Sequence, residues 1–187
     1  MKIDLDGNIV EKSEHPVNPA GFIIHSAIHS TREDAHCVMH THTAAGLGVA
    51  TQKSGLLPLT QMALAVIAQT GYHDYEGPAF DLRERDRLIN DLASNNVLIL
   101  RNHGLLTVGK TVAEAFVWLF RAERACRFQL SFQQAGAPAQ EIPKEVQDIS
   151  IERSKKAISA SGHRPIGQFE WPALLRKLNR ENPGYAE

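Results

Sequence analysis

Two histidines, His40 and His42, stand two residues apart in the segment AHCVMHTH, residues 35–42. The alternating faces of this segment and its central Val38 and Met39 predict a β-strand. Residues i and i+2 of a strand point to the same face with Cα atoms about 7 Å apart, so two imidazoles can converge on one ion. Imidazole nitrogen is the usual ligand for zinc and similar ions. The same pair also fits two hydrogen-bonded or solvent-facing histidines.

A third histidine, His103, lies just after VLILR, residues 97–101, with Asn102 between them, and this apolar run is typical of a strand buried on both faces. The ends of buried strands commonly carry site residues. Gly104 has no side chain, so another group can approach closely beside it. A hydrogen-bonded turn histidine is the alternative interpretation. Three histidine ligands leave one coordination position open, as in catalytic metal sites, and the spacing favours such a site at His40, His42 and His103.

The remaining histidines are weaker candidates for a metal site. His25 and His29 lie four residues apart on one face of a predicted helix. Such a pair can bind metal, but more often one side chain is buried and the other is exposed. His15, His73 and His163 fall in loop-like segments, where we expect them to be solvated.

The elements that would position these residues are a mixture of strands and helices. A hairpin is predicted around Asp6-Gly7, a loop or short helix in the Gly-rich stretch 43–58, and further strands near 35–42, 97–101 and 105–110, with a short one after residue 69. Capping residues and periodicity predict helices near 19–30, 61–69, 81–93, 111–134, 144–160 and 172–180, the third opened by a capping box of Asp81 and Glu84.

This order of elements lacks a clean alternation of strand and helix, and the sequence has no G-x-G-x-x-G and no P-loop. A doubly wound nucleotide-binding sheet is therefore disfavoured, and an α/β domain with a mixed or antiparallel sheet fits better. The linker-like stretch AGAPAQEIP predicts a boundary between a domain at residues 1–136 and a C-terminal helical extension at 137–187.

Composition narrows the function classes. The 187 residues are 43% apolar and 22% charged, with a formal net charge of −1, which gives no basic surface for nucleic acid. No apolar run reaches about 18 residues, so no membrane span is expected, and the N-terminus lacks an export signal.

Cys37 and Cys126 are too few for a disulfide framework and are expected to be free thiols in the cytoplasm. Because the chain opens inside a hairpin, we expect a missing N-terminal piece.

Two long blocks, HTHTAAGLGVATQKSGLLP and RNHGLLTVGKTVAEAF, resemble the signature blocks of the class II aldolase/adducin family. The stretches NPAGFIIHSAIHSTREDAHCVMHTH and FEWPALLRKLNRENPGY also fit this family, so the resemblance covers nearly the whole chain. The amino-acid sequence of these blocks is more similar to the adducin head and its bacterial relatives than to the sugar-phosphate aldolases. The resemblance implies a three-layer α/β fold, with a mainly antiparallel central sheet flanked by helices, and a homo-tetramer.

The resemblance also implies a function for the three histidines. It places a divalent metal, Zn²⁺ or alternatively Mn²⁺, on His40, His42 and His103. In the aldolases this ion holds a hydroxy-carbonyl substrate and stabilises an enediolate by Lewis-acid catalysis. The implied activity is that of a metal-dependent lyase, or a related decarboxylase or epimerase, acting on a small hydroxy-carbonyl or carboxylate substrate.

Two departures from the family pattern bear on this expectation. Gly21 occupies the position at which the sugar-phosphate aldolases carry an acid/base glutamate, and the family's phosphate-binding loop precedes the first residue of this chain. His25, one turn beyond Gly21, and Tyr72, in a polar aromatic loop, are the candidates to replace the base. The alternative is a non-catalytic, adducin-like module for assembly or for binding actin and the cytoskeleton.

Overall fold

The computed structural model describes residues 1–77 and 83–186. Within this part of the chain the strands are β1 Cys37–Thr41, β2 Thr70–His73, β3 Val97–Leu100 and β4 Gly104–Gly109. The helices are α1 Pro19–His29, α2 Ala44–Ala50, α3 Gln61–Ile67, α4 Glu84–Leu92, α5 Val112–Gln134, α6 Lys144–Ile158 and α7 Glu170–Glu181. The predicted N-terminal hairpin is reduced to one bridge between Ile3 and Ile9.

The four strands form one mixed sheet in the order β1-β4-β3-β2. The β1–β4 and β3–β4 pairs are antiparallel, whereas β2 and β3 run parallel. A tight turn joins β3 to β4, so His103 lies at the same end of the sheet as the last residue of β1. The expected mainly antiparallel sheet is confirmed.

The sheet is buried on both faces, which makes the fold three-layered. Along β3, Val97 and Ile99 pack into one hydrophobic core with Trp118 of α5, while Leu98 packs into the other core with Leu88 of α4. Successive side chains of a strand point to opposite faces, so an uninterrupted apolar strand supplies both cores. Helices α1 and α4 therefore cover one face, and α2, α3 and α5 cover the other.

Local capping explains where several helices begin. The Asn18 side chain accepts hydrogen bonds from the backbone N–H groups of Ala20 and Gly21 at the start of α1. In the Gly-rich stretch predicted as a loop or short helix, Thr43 caps α2 in the same way. The capping box predicted at Asp81 lies outside the described residues, and Arg83 at the α4 N-terminus makes no side-chain cap bond.

The C-terminal helices pack onto the α2/α3/α5 layer. Trp171 meets Phe116 of α5 edge-on, with ring centroids 5.4 Å apart. Glu170 accepts a hydrogen bond from Arg121 at 2.9 Å and pairs with Arg164 at 3.2 Å. The domain boundary at residue 136 remains a prediction. No helix of the described residues is both long and apolar enough to cross a bilayer.

Candidate metal centre

The fold brings His40, His42 and His103 together at one end of the sheet. The ring centroids are 4.6 Å apart for His40 and His42, 4.8 Å for His40 and His103, and 4.9 Å for His42 and His103. One nitrogen of each ring lies within 4.8 Å of the nitrogens of the other two. His40 on β1, His42 directly after the end of β1 and His103 in the turn between β3 and β4 thus form a compact three-nitrogen cluster.

The backbone of β4 fixes the orientation of His40. The Leu105 carbonyl oxygen lies 2.9 Å from His40 Nδ1. Because a carbonyl oxygen only accepts hydrogen bonds, His40 carries its proton on Nδ1, and the lone pair of Nε2 is directed into the cluster. His42 Nε2 lies 2.8 Å from His40 Nε2. A backbone partner behind a ring nitrogen is the usual support of a metal-binding histidine.

The surroundings of His40 and His103 favour neutral imidazoles at these two positions. Burial, reinforced by the neighbouring His103 and His42, lowers the pKa of His40 to about 4, although its hydrogen bond to Leu105 acts in the opposite direction. The pKa of His103 is also lowered, first by burial and then by His42 and His73. A neutral ring keeps the nitrogen lone pair that a metal ion requires, so both rings are ready to act as ligands near pH 7.

Gly104 makes the close approach of the two strand ends possible. Its φ angle is +154°, and a Cβ atom at this position would lie 2.4 Å from the Thr41 carbonyl oxygen, 3.1 Å from the His42 ring and 3.3 Å from the His40 ring. A side chain here would push the end of β1 away from the β3–β4 turn. Gly104, which was predicted to admit a close neighbour, therefore lies next to the rings of His40 and His42.

The donor set fits a zinc-type ion. Tetrahedral zinc with Zn–N bonds near 2.0–2.1 Å separates its nitrogen ligands by roughly 3.3 Å. The observed nitrogens, within 4.8 Å of one another and 2.8 Å apart for one pair, bracket this value.

His25 lies on α1, on the layer that faces His40. It is partly buried, and its pKa is lowered first by burial and then by His29, whose ring centroid is 6.5 Å away. The positive charge that His25 can carry also lowers the pKa of His40 slightly. Gly21 lies one turn earlier on the same helix, where a Cβ atom would meet only Asn18, at 3.8 Å. His25 therefore lies in the helical layer that covers the His40 face of the sheet, and its catalytic role remains a prediction.

Tyr72 is not brought together with the three histidines. It lies on β2 opposite Ile99 and packs into the core between the sheet and α5, whereas His40 lies opposite Leu106, whose side chain enters the other core. The Tyr72 hydroxyl accepts a hydrogen bond from the Leu56 N–H at 3.0 Å. Its side chain thus serves the packing of the opposite layer, and the structure offers no support for a role as base.

His73 differs from its prediction as a solvated loop residue. It is the last residue of β2 and is only 4% exposed. Its Nδ1 lies 2.7 Å from Asp91 Oδ2, and its Nε2 lies 3.2 Å from Glu84 Oε1. Glu84, Leu88 and Asp91 follow one another at helical spacing on α4. This spacing is the sequence signal that could have placed Glu84 and Asp91 on one face of α4, next to His73.

Comparisons with known proteins agree with this architecture. A family model described as Class II Aldolase and Adducin N-terminal domain matches residues 1–130. A "Putative aldolase class 2 protein" of Caulobacter vibrioides is 48% identical over 187 residues, covering 100% of this chain and 71% of that protein. Rat alpha-adducin is 39% identical over 195 residues, covering 99% of this chain and 26% of adducin.

A solved structure provides the same result for the fold. The crystal structure of an aldolase II superfamily protein from Pseudomonas syringae superposes with a TM-score of 0.87 at 42% identity, covering 99% of this chain and 73% of that one. The mixed sheet and its two helical layers are therefore those of the aldolase II superfamily.

Proposed function

Because the chain belongs to the class II aldolase and adducin family, we propose that it is a metal-dependent lyase whose divalent ion is held by His40, His42 and His103. The convergence of three ring nitrogens, one of them oriented by the Leu105 carbonyl, carries the proposal. Zinc is the first candidate ion, because a compact set of imidazole ligands suits it, and manganese is the second.

The reaction class follows from the donor set. A divalent ion with an open coordination position supplies a Lewis acid that polarises a carbonyl or hydroxyl oxygen. We propose a small hydroxy-carbonyl or carboxylate substrate, on which negative charge develops beside the carbonyl during aldol cleavage, decarboxylation or epimerisation. His40, His42 and His103 hold the ion, and the Leu105 carbonyl keeps His40 in the tautomer that this requires.

Hydrogen–deuterium exchange into dihydroxyacetone tests the proposal without knowledge of the natural substrate. Protein reconstituted with zinc in D₂O should exchange the carbon-bound hydrogens of this probe faster than buffer with the same zinc concentration, as followed by proton NMR. His103→Ala should abolish the acceleration. Exchange no faster than in the protein-free control would contradict a lyase function.

Sugar-phosphate cleavage should be very slow. General acid–base catalysis contributes about 10²–10⁴-fold to a reaction rate, and Gly21, the residue aligned with the aldolase glutamate, has no proton to transfer. We therefore expect turnover of fuculose or ribulose phosphates to fall below that of an ordinary class II aldolase by about that factor. An aldolase assayed in parallel is the control. Equal turnover would show that another residue already replaces the glutamate.

A second candidate function is a non-catalytic, adducin-like assembly module that binds actin or the cytoskeleton. The 39% identity to rat alpha-adducin over almost the whole chain favours it, as does Gly21. The two candidates differ in their need for metal. A protein that assembles normally but retains no metal ion supports the module, because an open metal site has no purpose in a scaffold.

We also propose that the chain is a homo-oligomer, most simply a tetramer. Among the described strands, β1 and β2 form the two edges of the sheet, and unpaired strand edges recruit partners. Exposed aromatic residues on α5, Phe120 and Phe128, add apolar surface. Multi-angle light scattering at micromolar concentration should show a mass above that of the chain. A stable, monodisperse species near 20.7 kDa would contradict this.

The cysteines support a proposed location in the reducing cytoplasm. Both Cys37 and Cys126 are free. Burial raises the pKa of Cys126 to about 12, so this thiol is unreactive and serves as a core residue.

A further inference from the structure

Of the three clustered histidines, His42 is the one that has no hydrogen-bonded support from outside the cluster among the described residues. The Leu105 carbonyl holds the His40 ring, and the His103 backbone N–H donates to the Leu100 carbonyl at 3.0 Å in the β3–β4 turn. His42 is exposed and lies after the last residue of β1, and its ring is hydrogen-bonded to His40 alone. The orientation of the His42 ring therefore depends on how its backbone is fixed.

The residue that follows His42 fixes this backbone. Thr43 is the N-cap of α2, and its hydroxyl oxygen accepts a hydrogen bond from the Gly46 N–H at 3.2 Å. The same hydroxyl donates its hydrogen to Oε2 of Glu123, on α5, at 2.5 Å. A hydroxyl that both accepts and donates has a fixed position, and a hydrogen bond to a carboxylate is about twice as strong as one between neutral groups. Glu123 therefore ties the start of α2 to α5.

The start of α2 also packs closely against the strand that holds His40. A Cβ atom on Gly46 would lie 2.8 Å from the Leu105 side chain and 2.8 Å from the Thr43 hydroxyl oxygen. Leu105 is fully buried, and its carbonyl oxygen is the one that faces His40 Nδ1. The Thr43 cap and the β4 residue behind His40 thus form one packed unit, which Glu123 joins to α5.

Packing alone does not explain a carboxylate at this position. Glu123 lies in the middle of α5 and is half-buried, and no described residue forms an ion pair with it. Its hydrogen bond within the described part of the chain is the one to Thr43. Partial burial of a charged group without a counter-charge costs free energy, so an apolar residue would serve packing better. The contact with Thr43 is therefore the feature that accounts for Glu123.

Resting on the proposed metal-dependent function, we propose that Glu123 is a positioning residue for the metal ligand His42. Thr41 is fixed by its pairing with β4, and Thr43 is fixed by Glu123, so His42 is held between two anchored neighbours. This arrangement directs the His42 ring towards Nε2 of His40. Glu123 acts through Thr43 and takes no part in proton transfer, so the expectation of slow sugar-phosphate cleavage is unchanged.

The zinc affinity of Glu123→Ala, measured by competition with a chromophoric chelator, tests the assignment. Loss of a partner that supports a metal ligand costs about 10–100-fold in affinity, and because Glu123 acts through an intervening residue we expect a loss of about 10-fold. Co²⁺ bound in place of zinc should show a changed visible spectrum, because this spectrum reports the coordination geometry.

The matched control is Glu114→Ala, which removes another half-buried carboxylate of α5. Glu114 accepts a hydrogen bond from the Lys110 N–H at 2.8 Å, next to the end of β4 that is remote from the histidines. Its loss should lower the stability of the fold but leave the zinc affinity and the cobalt spectrum unchanged. A merely structural role of Glu123 would give the same pattern as this control.

Variants of Thr43 test whether Glu123 acts through the hydroxyl. Thr43→Val keeps the shape without the hydroxyl and should weaken zinc binding at least as much as Glu123→Ala, whereas Thr43→Ser should bind zinc almost as the original protein does. Glu123→Gln keeps a neutral acceptor and should fold with a smaller loss than Glu123→Ala. The double variant Thr43→Val/Glu123→Ala should bind zinc no more weakly than Thr43→Val alone, because both substitutions break one contact.

Two results would overturn the assignment. One is the original zinc affinity in a folded Glu123→Ala or Thr43→Val protein. The other is a loss in the double variant that equals the product of the two single losses, because the two residues would then act independently.

The same measurements distinguish failure of this inference from failure of the proposed function. If the original protein binds zinc and His103→Ala does not, the metal centre stands, and an unchanged zinc affinity in Glu123→Ala overturns the role of Glu123 alone. If the original protein binds no zinc, the proposed function and the role of Glu123 are overturned together.

Discussion

Replacing Gly104 with alanine is expected to destabilise the fold by about 2–4 kcal/mol and to abolish metal binding. The backbone at Gly104 has a φ angle of +154°, and the new Cβ atom would lie 2.4 Å from the Thr41 carbonyl oxygen. Because this neighbour is backbone, relief requires β1 to move away from β4. His40 lies on the end of β1 that would move, and His42 follows it directly, so both would separate from His103.

Urea unfolding and zinc content measure the two parts of this prediction. Gly136→Ala is the matched control, since Gly136 also has a positive φ angle, +63°, but a Cβ atom there has no neighbour within 4 Å. The control should cost only about 1 kcal/mol, the conformational part of the penalty, and should retain zinc. A Gly104→Ala protein with full zinc content would show that the strand ends are not held together as described.

The positions of the three clustered histidines could be predicted from the sequence because they depend on local rules. The spacing of His40 and His42 predicts that both point to one side of the chain, although β1 itself ends at Thr41. His103 follows a strand whose apolar run identifies it without knowledge of the fold. Each rule involves few residues. The spacing favoured a meeting of the two strand ends and the resemblance implied the same, and the antiparallel pairing of β1 with β4 provides the physical reason.

The environment of His73 could not be predicted in this way. Its strand is four residues long, and its burial depends on α4, which packs against β2 from more than ten residues further along the chain. Tyr72 was placed in a site-lining loop for the same reason. Whether its side chain enters one layer or the other depends on the register of β2 with β3, which the sequence of β2 alone does not reveal.

Removing one ligand of the cluster should eliminate most metal binding. In His103→Ala, the imidazoles of His40 and His42 remain, and two nitrogens bind zinc much more weakly than three because the lost bond is not replaced by another described side chain. Loss of a single supporting partner of a metal ligand already costs about 10–100-fold in affinity. Loss of a ligand itself should therefore cost at least about 100-fold. His163→Ala, which removes an exposed histidine far along the chain, is the matched control and should bind as before.

Metal analysis of protein purified without chelator is the most direct test of the three-histidine centre. Mass spectrometry of the metal content should find about one equivalent of zinc or manganese per chain in the original protein and in His163→Ala, and little in His103→Ala. Less than about a tenth of an equivalent in the original protein, unchanged by His103→Ala, would contradict the centre and the function built on it.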